Sequence, residues 1–151
     1  MREKTNSRST MTYLFLDSDM LIDFYADRDD FSAHARRIFE HAELHKRDVR
    51  LITTPVAMSN VNYLLKKYLE KELFSRCFDH LISNVEIMPM SGEIVHQAFD
   101  LGWSDFEDAM QHQACVAYGR DVIIITRNVK DFKKSILKVM SPKTYVRDYL
   151  K

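Results

Sequence analysis

The chain has 151 residues, 46% of them hydrophobic and 29% charged, with 22 basic and 22 acidic side chains in balance. That length supports one domain with its own core, and the neutral balance excludes a uniformly basic nucleic-acid binder while leaving room for local basic patches. Only three glycines and three prolines imply long regular elements with short connections, and no apolar run approaches the ~18 residues of a membrane span.

Residues 1–11 are polar and lack the apolar core of a signal peptide. They read as a disordered leader, with Met11 an alternative start, ahead of a domain over 12–151 in a cytoplasmic protein. Residues 12–16 form a short apolar run closed by Asp17, the pattern of a buried strand. One or two helical turns follow over 20–25. The next helix starts at Asp29 or Asp30, either of which can cap it, and carries Phe31, Ala35, Ile38, Phe39 and Ala42 at helical spacing to about residue 46. A second strand covers 50–54, and Pro55 suits the first turn of the helix after it, whose buried stripe is Val56, Val61, Leu64, Leu65 and Tyr68. A further helix over 71–82 turns Leu73, Phe74, Cys77, Phe78 and Leu81 inward. Residues 85–88 form a third strand. Ile94, Val95, Ala98 and Phe99 mark one helix, and Ala109, His112, Gln113, Val116 and Ala117 mark another after Asp105. The run 122–126 is the strongest strand signal, 137–140 is a short edge strand, and Ser141 with Pro142 starts the last helix. Such alternation predicts a three-layer α/β/α sandwich around a mainly parallel sheet, joined by right-handed crossovers. Cys77 and Cys115 lie far apart without metal-ligand spacing and read as reduced core residues.

Three strand ends carry polar residues that a core has no use for. Asp17-Ser18-Asp19 follows the first strand, Asp105 and Asp108 open the helical stretch after Trp103-Ser104, and Asn128 and Asp131 follow the 122–126 run. In open α/β sheets, ligands bind outside the carboxyl ends of the strands. Three segments delivering carboxylates to that edge predict a hard-cation site, with Mg²⁺ first in line and Mn²⁺ an alternative. Each acid also has a structural explanation. Asp17 can cap the next turn, although Asp19 and Asp23 crowd negative charge beside it, which is costly without a cation or basic partner. Acids in a first helical turn are favoured by ~0.3–1 kcal/mol each through the macrodipole, and Glu107 is explained that way. His112, four residues beyond Asp108, could join a metal site in principle, but reads first as a histidine packed in the core or supporting the site from behind. Residues 126–134 combine a hydroxyl, an amide and a carboxylate with Arg127, Lys130, Lys133 and Lys134. A solvated face is the ordinary meaning of such a run; beside an acid site the same cations would hold a nucleic-acid backbone.

Taken in order, these segments resemble the PIN domain, the nuclease fold of many type II toxin–antitoxin toxins, over about residues 12–150. Residues 15–23 are similar to the family's strand-end motif, with Asp17 as its acid and Asp19 where Asn or a small residue is usual. Residues 105–109 resemble the segment holding the third acid, which falls on Asp108 with Asp105 in support. Residues 125–132 are similar to the closing motif, whose acid or amide falls on Asn128 or Asp131. The second motif departs from the family. Its glutamate, early in the helix after the second strand, is replaced by Asn60, and no acid follows until Glu70. Asn offers a cation its carbonyl oxygen but no charge, and it cannot act as a base. A branch of the family shares this aliphatic-Asn-aromatic pattern.

The resemblance implies a Mg²⁺-dependent ribonuclease and extends to the toxin of a toxin–antitoxin pair. Asp17, Asp108 and Asp131 would hold the cation, directly or through water. Asn60, Asn128 and Thr126 would orient ligands and substrate. Arg127, Lys130 and Lys67 would engage phosphates, Lys67 lying about two turns beyond Asn60 on the same helix face. RNA, a small antitoxin and a second copy of the chain are the implied partners. The alternative is a PIN-fold module that binds nucleic acid with weakened catalysis, which the missing glutamate favours. A phosphatase or nucleotide hydrolase is less well served, because three glycines supply no phosphate-cradling loop.

Overall fold

Thr12–Leu16 (β1), Val49–Thr53 (β2), Glu86–Ile87 (β3), Asp121–Ile125 (β4) and Lys138–Met140 (β5) form one sheet in the order β3-β2-β1-β4-β5, in a computed structural model that describes residues 10–150. Positions 1–9 of the expected leader lie outside the described residues. Every strand pair is parallel, the arrangement that runs such as Phe15-Leu16 and Ile123-Ile124-Ile125 call for, since parallel strands are covered on both faces.

Among the described residues seven α-helices do the covering: Ser18–Tyr25 (α1), Asp29–Leu44 (α2), Pro55–Tyr68 (α3), Lys71–Asn84 (α4), Gly92–Asp100 (α5), Phe106–Tyr118 (α6) and Pro142–Tyr149 (α7). Strand side chains alternate between faces. Leu14, Leu16, Leu51, Ile123 and Ile125 pack with apolar residues of α1, α2, α3 and α7. Tyr13, Phe15, Ile52, Val122 and Ile124 pack on the other face with Ile94 of α5 and Ala114 and Cys115 of α6. The result is the expected three-layer α/β/α sandwich, with a sheet that is wholly rather than mainly parallel.

Three local expectations change. Helix α2 begins at Asp29, so neither Asp29 nor Asp30 precedes it, and Arg28 at the cap position makes no side-chain cap bond. The third strand shrinks to two residues, because Val85 serves as the C-cap of α4. In α4 only Leu81 is buried, while Leu73 is exposed and Phe74, Cys77 and Phe78 are half-buried; Tyr68 of α3 is likewise exposed. Periodicity identifies the apolar face of a helix, but how much of that face is covered depends on its place at the rim of the layer.

The chain leaves β1 for β2 and β3 on one side and returns to β4 and β5 on the other. The carboxyl ends of β1 and β4 therefore flank the point where strand order reverses, which is where open α/β sheets present a crevice.

Candidate active site: an acidic cleft at the carboxyl edge of the sheet

Leu16 is level with Ile125 in the parallel register, so the next residues of each strand, Asp17 and Thr126, emerge side by side. Thr126 Oγ1 donates to Asp17 Oδ2 at 2.5 Å and accepts the Asn128 N–H at 3.0 Å. Asp17 Oδ1 accepts the Met20 N–H at 3.1 Å and caps α1. The structural explanation for Asp17 thus holds, and it does not compete with a role at the edge: one carboxylate caps the helix and faces the crevice.

The crevice is a cleft of about 310 Å³. Asp17 and Asp19 line it from the β1 end, Asp105, Glu107 and Asp108 from the start of α6, and Asn128 and Asp131 from the segment after β4. Ser18, Asn60, Tyr63, Leu64 and Gln111 complete the wall. The turn Val129–Phe132 is a single 3-10 turn that presents Asp131, an element the apolar periodicity did not announce. Asp105 stands outside α6 as its cap, its Oδ1 accepting the Asp108 N–H at 3.0 Å; this segment follows α5 and not a strand, so two of the three acidic segments, not all three, leave strand ends. A larger groove of about 760 Å³ runs past Phe39, His80 and Val85, away from these strand ends. Size alone does not mark the chemistry here.

So many acids on one surface perturb each other. Burial pushes the Asp17 carboxyl up to about 6, partly offset by the Thr126 hydroxyl. Asp108 rises to about 7, first through burial and then through the negative charges of Asp105, Asp131, Asp17 and Glu107. Glu107 is also raised, by burial and by Asp105, against the hydrogen bond from Asn60. These are the directions expected when carboxylates share a site without a compensating cation.

Asn60 lies where the second motif predicts, on the cleft wall. Its Nδ2 donates to Glu107 Oε1 at 2.7 Å and to Ser18 Oγ at 3.4 Å. Glu107, explained from sequence by the helix macrodipole alone, is thereby a cleft residue, held also by Gln111 Nε2 at 3.5 Å. No sequence signal separates it from an ordinary first-turn acid; the approach of α3 to the start of α6 brings it to Asn60. Asn128 Nδ2 donates to Asp19 Oδ2 at 3.3 Å, tying the β1 and β4 ends together.

The expected phosphate contacts separate. Arg127 turns away to Asp23, a fully buried acid of α1. Arg127 Nη2 donates to Asp23 Oδ1 at 3.3 Å, and its Nε lies 2.8 Å from Oδ2 at an angle outside hydrogen-bond geometry. Arg28 Nε donates to the same carboxylate at 3.1 Å, and the Arg127 guanidinium stacks 4.1 Å from the Phe31 ring centre. Burial raises the Asp23 carboxyl, with Arg127 and Arg28 opposing. The negative charge crowded into residues 17–23 is thus partly answered by arginines. Lys130 is exposed on the 3-10 turn, and Lys67 sits over Tyr63. His112 is buried against Trp103 and bonded through Nε2 to Ser135 Oγ at 2.9 Å, the packed histidine that was expected.

Among the described residues, no three His, Cys, Asp or Glu side chains are set to hold a metal ion on their own. The donors lining the cleft are carboxylate and amide oxygens, the hard set that suits Mg²⁺ or Mn²⁺, and Mg²⁺ retains several waters through which outlying carboxylates can bind. By donor chemistry the cleft fits such an ion through one or two carboxylates plus water.

A wholly parallel sheet with an acid-lined crevice at its reversal point defines a class of α/β domain that gathers carboxylates at strand ends. The PIN domain family matches residues 13–130, and the chain belongs to that family. No curated protein sequence matches it significantly. In fold it is similar to VapBC2 from Rickettsia felis bound to a DNA fragment from its promoter, at 16% identity and TM-score 0.66, covering 87% of this chain and 98% of that one. A toxin–antitoxin complex from Klebsiella pneumoniae aligns at 23% identity and TM-score 0.65, covering 86% and 97%. VapC20 from Mycobacterium tuberculosis, a sarcin–ricin loop cleaving toxin, aligns at 14% identity and TM-score 0.59, covering 74% and 86%. At these identities the likeness is one of fold.

Proposed function

We propose that this chain is a divalent-cation-dependent ribonuclease, and the toxin partner of a small antitoxin protein. The observation that carries the reading is the convergence of acids from three chain segments in one cleft, with Asp17 and Asp108 pushed toward neutrality. A fold gains nothing from gathering unneutralised carboxylates, whereas phosphodiester hydrolysis needs a cation held beside the scissile phosphate. Asp17, Asp108 and Asp131 would hold it, with Mg²⁺ the first choice and Mn²⁺ the substitute. When bound, such an ion supplies an activated water and stabilises the leaving oxygen. Thr126 holds the Asp17 carboxylate in place, and Asn128 bridges from the same segment to Asp19. Asn60 keeps Glu107 at the wall. Lys67 and Lys130 would meet the phosphates that an acidic cleft otherwise repels; Arg127 supports the β4 end through Asp23.

The fold neighbours support an antitoxin partner, since one of them is a toxin–antitoxin complex. A homodimer and a cytoplasmic location belong to the same reading; no described helix is long and apolar enough to cross a membrane. One observation favours the alternative, a module that binds RNA without cutting it efficiently. Asn60 donates its amide to Glu107 and brings no charge of its own.

Purified protein incubated with total RNA in magnesium, manganese or chelator separates the two. The ribonuclease reading expects cleavage only with the divalent ion, lost in Asp108→Asn. RNA bound but uncut in both ions selects the binding module, and cleavage that survives both chelator and Asp108→Asn refutes the cleft as the active site.

A further inference from the structure

Tyr63 is 61% exposed although it forms part of the acid cleft's wall. It lies one helical turn beyond Asn60 on α3, and Lys67 follows one turn later, so the three share one face. Lys67 Nζ sits 4.3 Å from the centre of the Tyr63 ring, and among the described residues no carboxylate pairs with it. An aromatic ring at the lip of an anionic cleft, with an unpaired ammonium beside it, combines the two features single-stranded nucleic acids use. Bases stack on aromatic rings whatever their identity, and the adjoining phosphate meets the cation. Lys130 shares the 3-10 turn with Asp131, another residue of the cleft wall, so a second cation is carried next to one of the acids. The acids repel a phosphate backbone, and these cations offset that repulsion.

We infer that Tyr63 and Lys67 form a substrate subsite that stacks an unpaired base next to the scissile phosphate and holds the phosphate beyond it. This rests on the ribonuclease reading above. A base in a duplex has both faces covered by its neighbours and cannot use the ring, so paired RNA loses the contact. The subsite also accounts for an aromatic residue staying in solvent where a core has no place for it.

The test compares the wild-type protein with Tyr63→Phe, Tyr63→Ala, Tyr63→Trp and Lys67→Ala. Binding of a fluorescein-labelled single-stranded RNA is read by anisotropy in magnesium, each protein then also carrying Asp108→Asn so that the RNA stays uncut, and cleavage is read separately on a gel without that change. Tyr63→Phe should bind as the wild type does. Tyr63→Ala should lose about tenfold in affinity for the single strand and nothing for the same RNA annealed to its complement. Lys67→Ala should instead reduce the salt dependence, by about one phosphate contact. Tyr63→Trp should bind with quenched indole fluorescence, a direct sign of stacking that does not depend on the alanine variant folding. If the wild type binds and cuts RNA while Tyr63→Ala binds within twofold and Tyr63→Trp shows no quench, the subsite is refuted and the ribonuclease reading stands. If the wild type neither binds nor cuts single-stranded RNA, both fall. If Tyr63→Ala turns a wild-type dimer into a monomer without weakening RNA binding, Tyr63 is a subunit contact and the subsite is refuted.

Discussion

Replacing Asp17 with Asn should stabilise the metal-free protein at neutral and alkaline pH, even though Asp17 caps a helix. Asp17 is 8% exposed, and its carboxyl is raised from an ordinary 3.8 to about 6, mainly by burial. At ~1.36 kcal/mol per pH unit, ionising it in the fold costs about 3 kcal/mol more than in the unfolded chain. The folded state therefore binds the extra proton between about pH 4 and pH 6, and stability falls as pH rises through that window. Below it Asp17 contributes in full; above it the contribution is gone. Asp108, raised to about 7, adds a smaller loss in the same direction that extends higher, reduced by its half exposure to solvent. Asn at position 17 removes the charge and keeps an oxygen for the Met20 N–H. Urea unfolding in chelator at about pH 4.5 and about pH 8 measures the difference between variant and wild type, which cancels the titration of groups not coupled to Asp17. The variant should gain up to about 3 kcal/mol at the higher pH relative to its difference at the lower. Millimolar magnesium should shrink or reverse that gain, because the wild type then has its counter-ion. A pH-independent difference, or an Asn variant less stable at alkaline pH, would show that the Thr126 and Met20 hydrogen bonds outweigh burial, and the reasoning about the cleft would fail.

Asp23→Ala leaves Arg28 and Arg127 without their shared carboxylate; both guanidinium groups keep partial access to solvent, so the cost should fall below the ~3–5 kcal/mol of a fully buried pair, read as a lower urea midpoint at neutral pH. Asn60→Glu would set a second carboxylate where the Asn60 amide now meets Glu107 at 2.7 Å; it should lower the melting temperature in chelator and tighten Mn²⁺ binding by calorimetry, and unchanged metal affinity would place position 60 outside the cation site. Lys130→Ala should weaken RNA binding and flatten its salt dependence by about one counterion without changing the melt, whereas Arg127→Ala should lower the melt, since its guanidinium serves Asp23. Gly119 holds φ +67 at the C-cap of α6, so Gly119→Ala should destabilise by about 1 kcal/mol, measured by thermal melting.

Much of the molecule is written locally. The runs at 13–16 and 122–125 are apolar at every position, which only a strand covered on both faces tolerates, and the helix stripes between them impose the crossovers of a parallel sheet. The acids at strand ends could be read for the same reason: a carboxylate after an apolar strand has nowhere to go but the edge. The pairings across that edge could not be read. Whether Thr126 meets Asp17 depends on β4 lying beside β1 in a register that sets Leu16 against Ile125, and hydrophobic alternation is the same in every such register. Arg127 looked like its neighbour Lys130, two cations in one charged run, until the packing of α1 against the β4 end gave one of them a buried partner and left the other in water. Glu107 likewise carries the ordinary signal of a first-turn acid, and only the approach of α3 to α6 makes it a partner of Asn60. Sequence determines which face of an element is apolar, which residues must end a strand and which carry charge. Only the tertiary structure decides which of those charges meet, because contact between residues a hundred positions apart is set by how whole elements pack and leaves no mark in the local pattern.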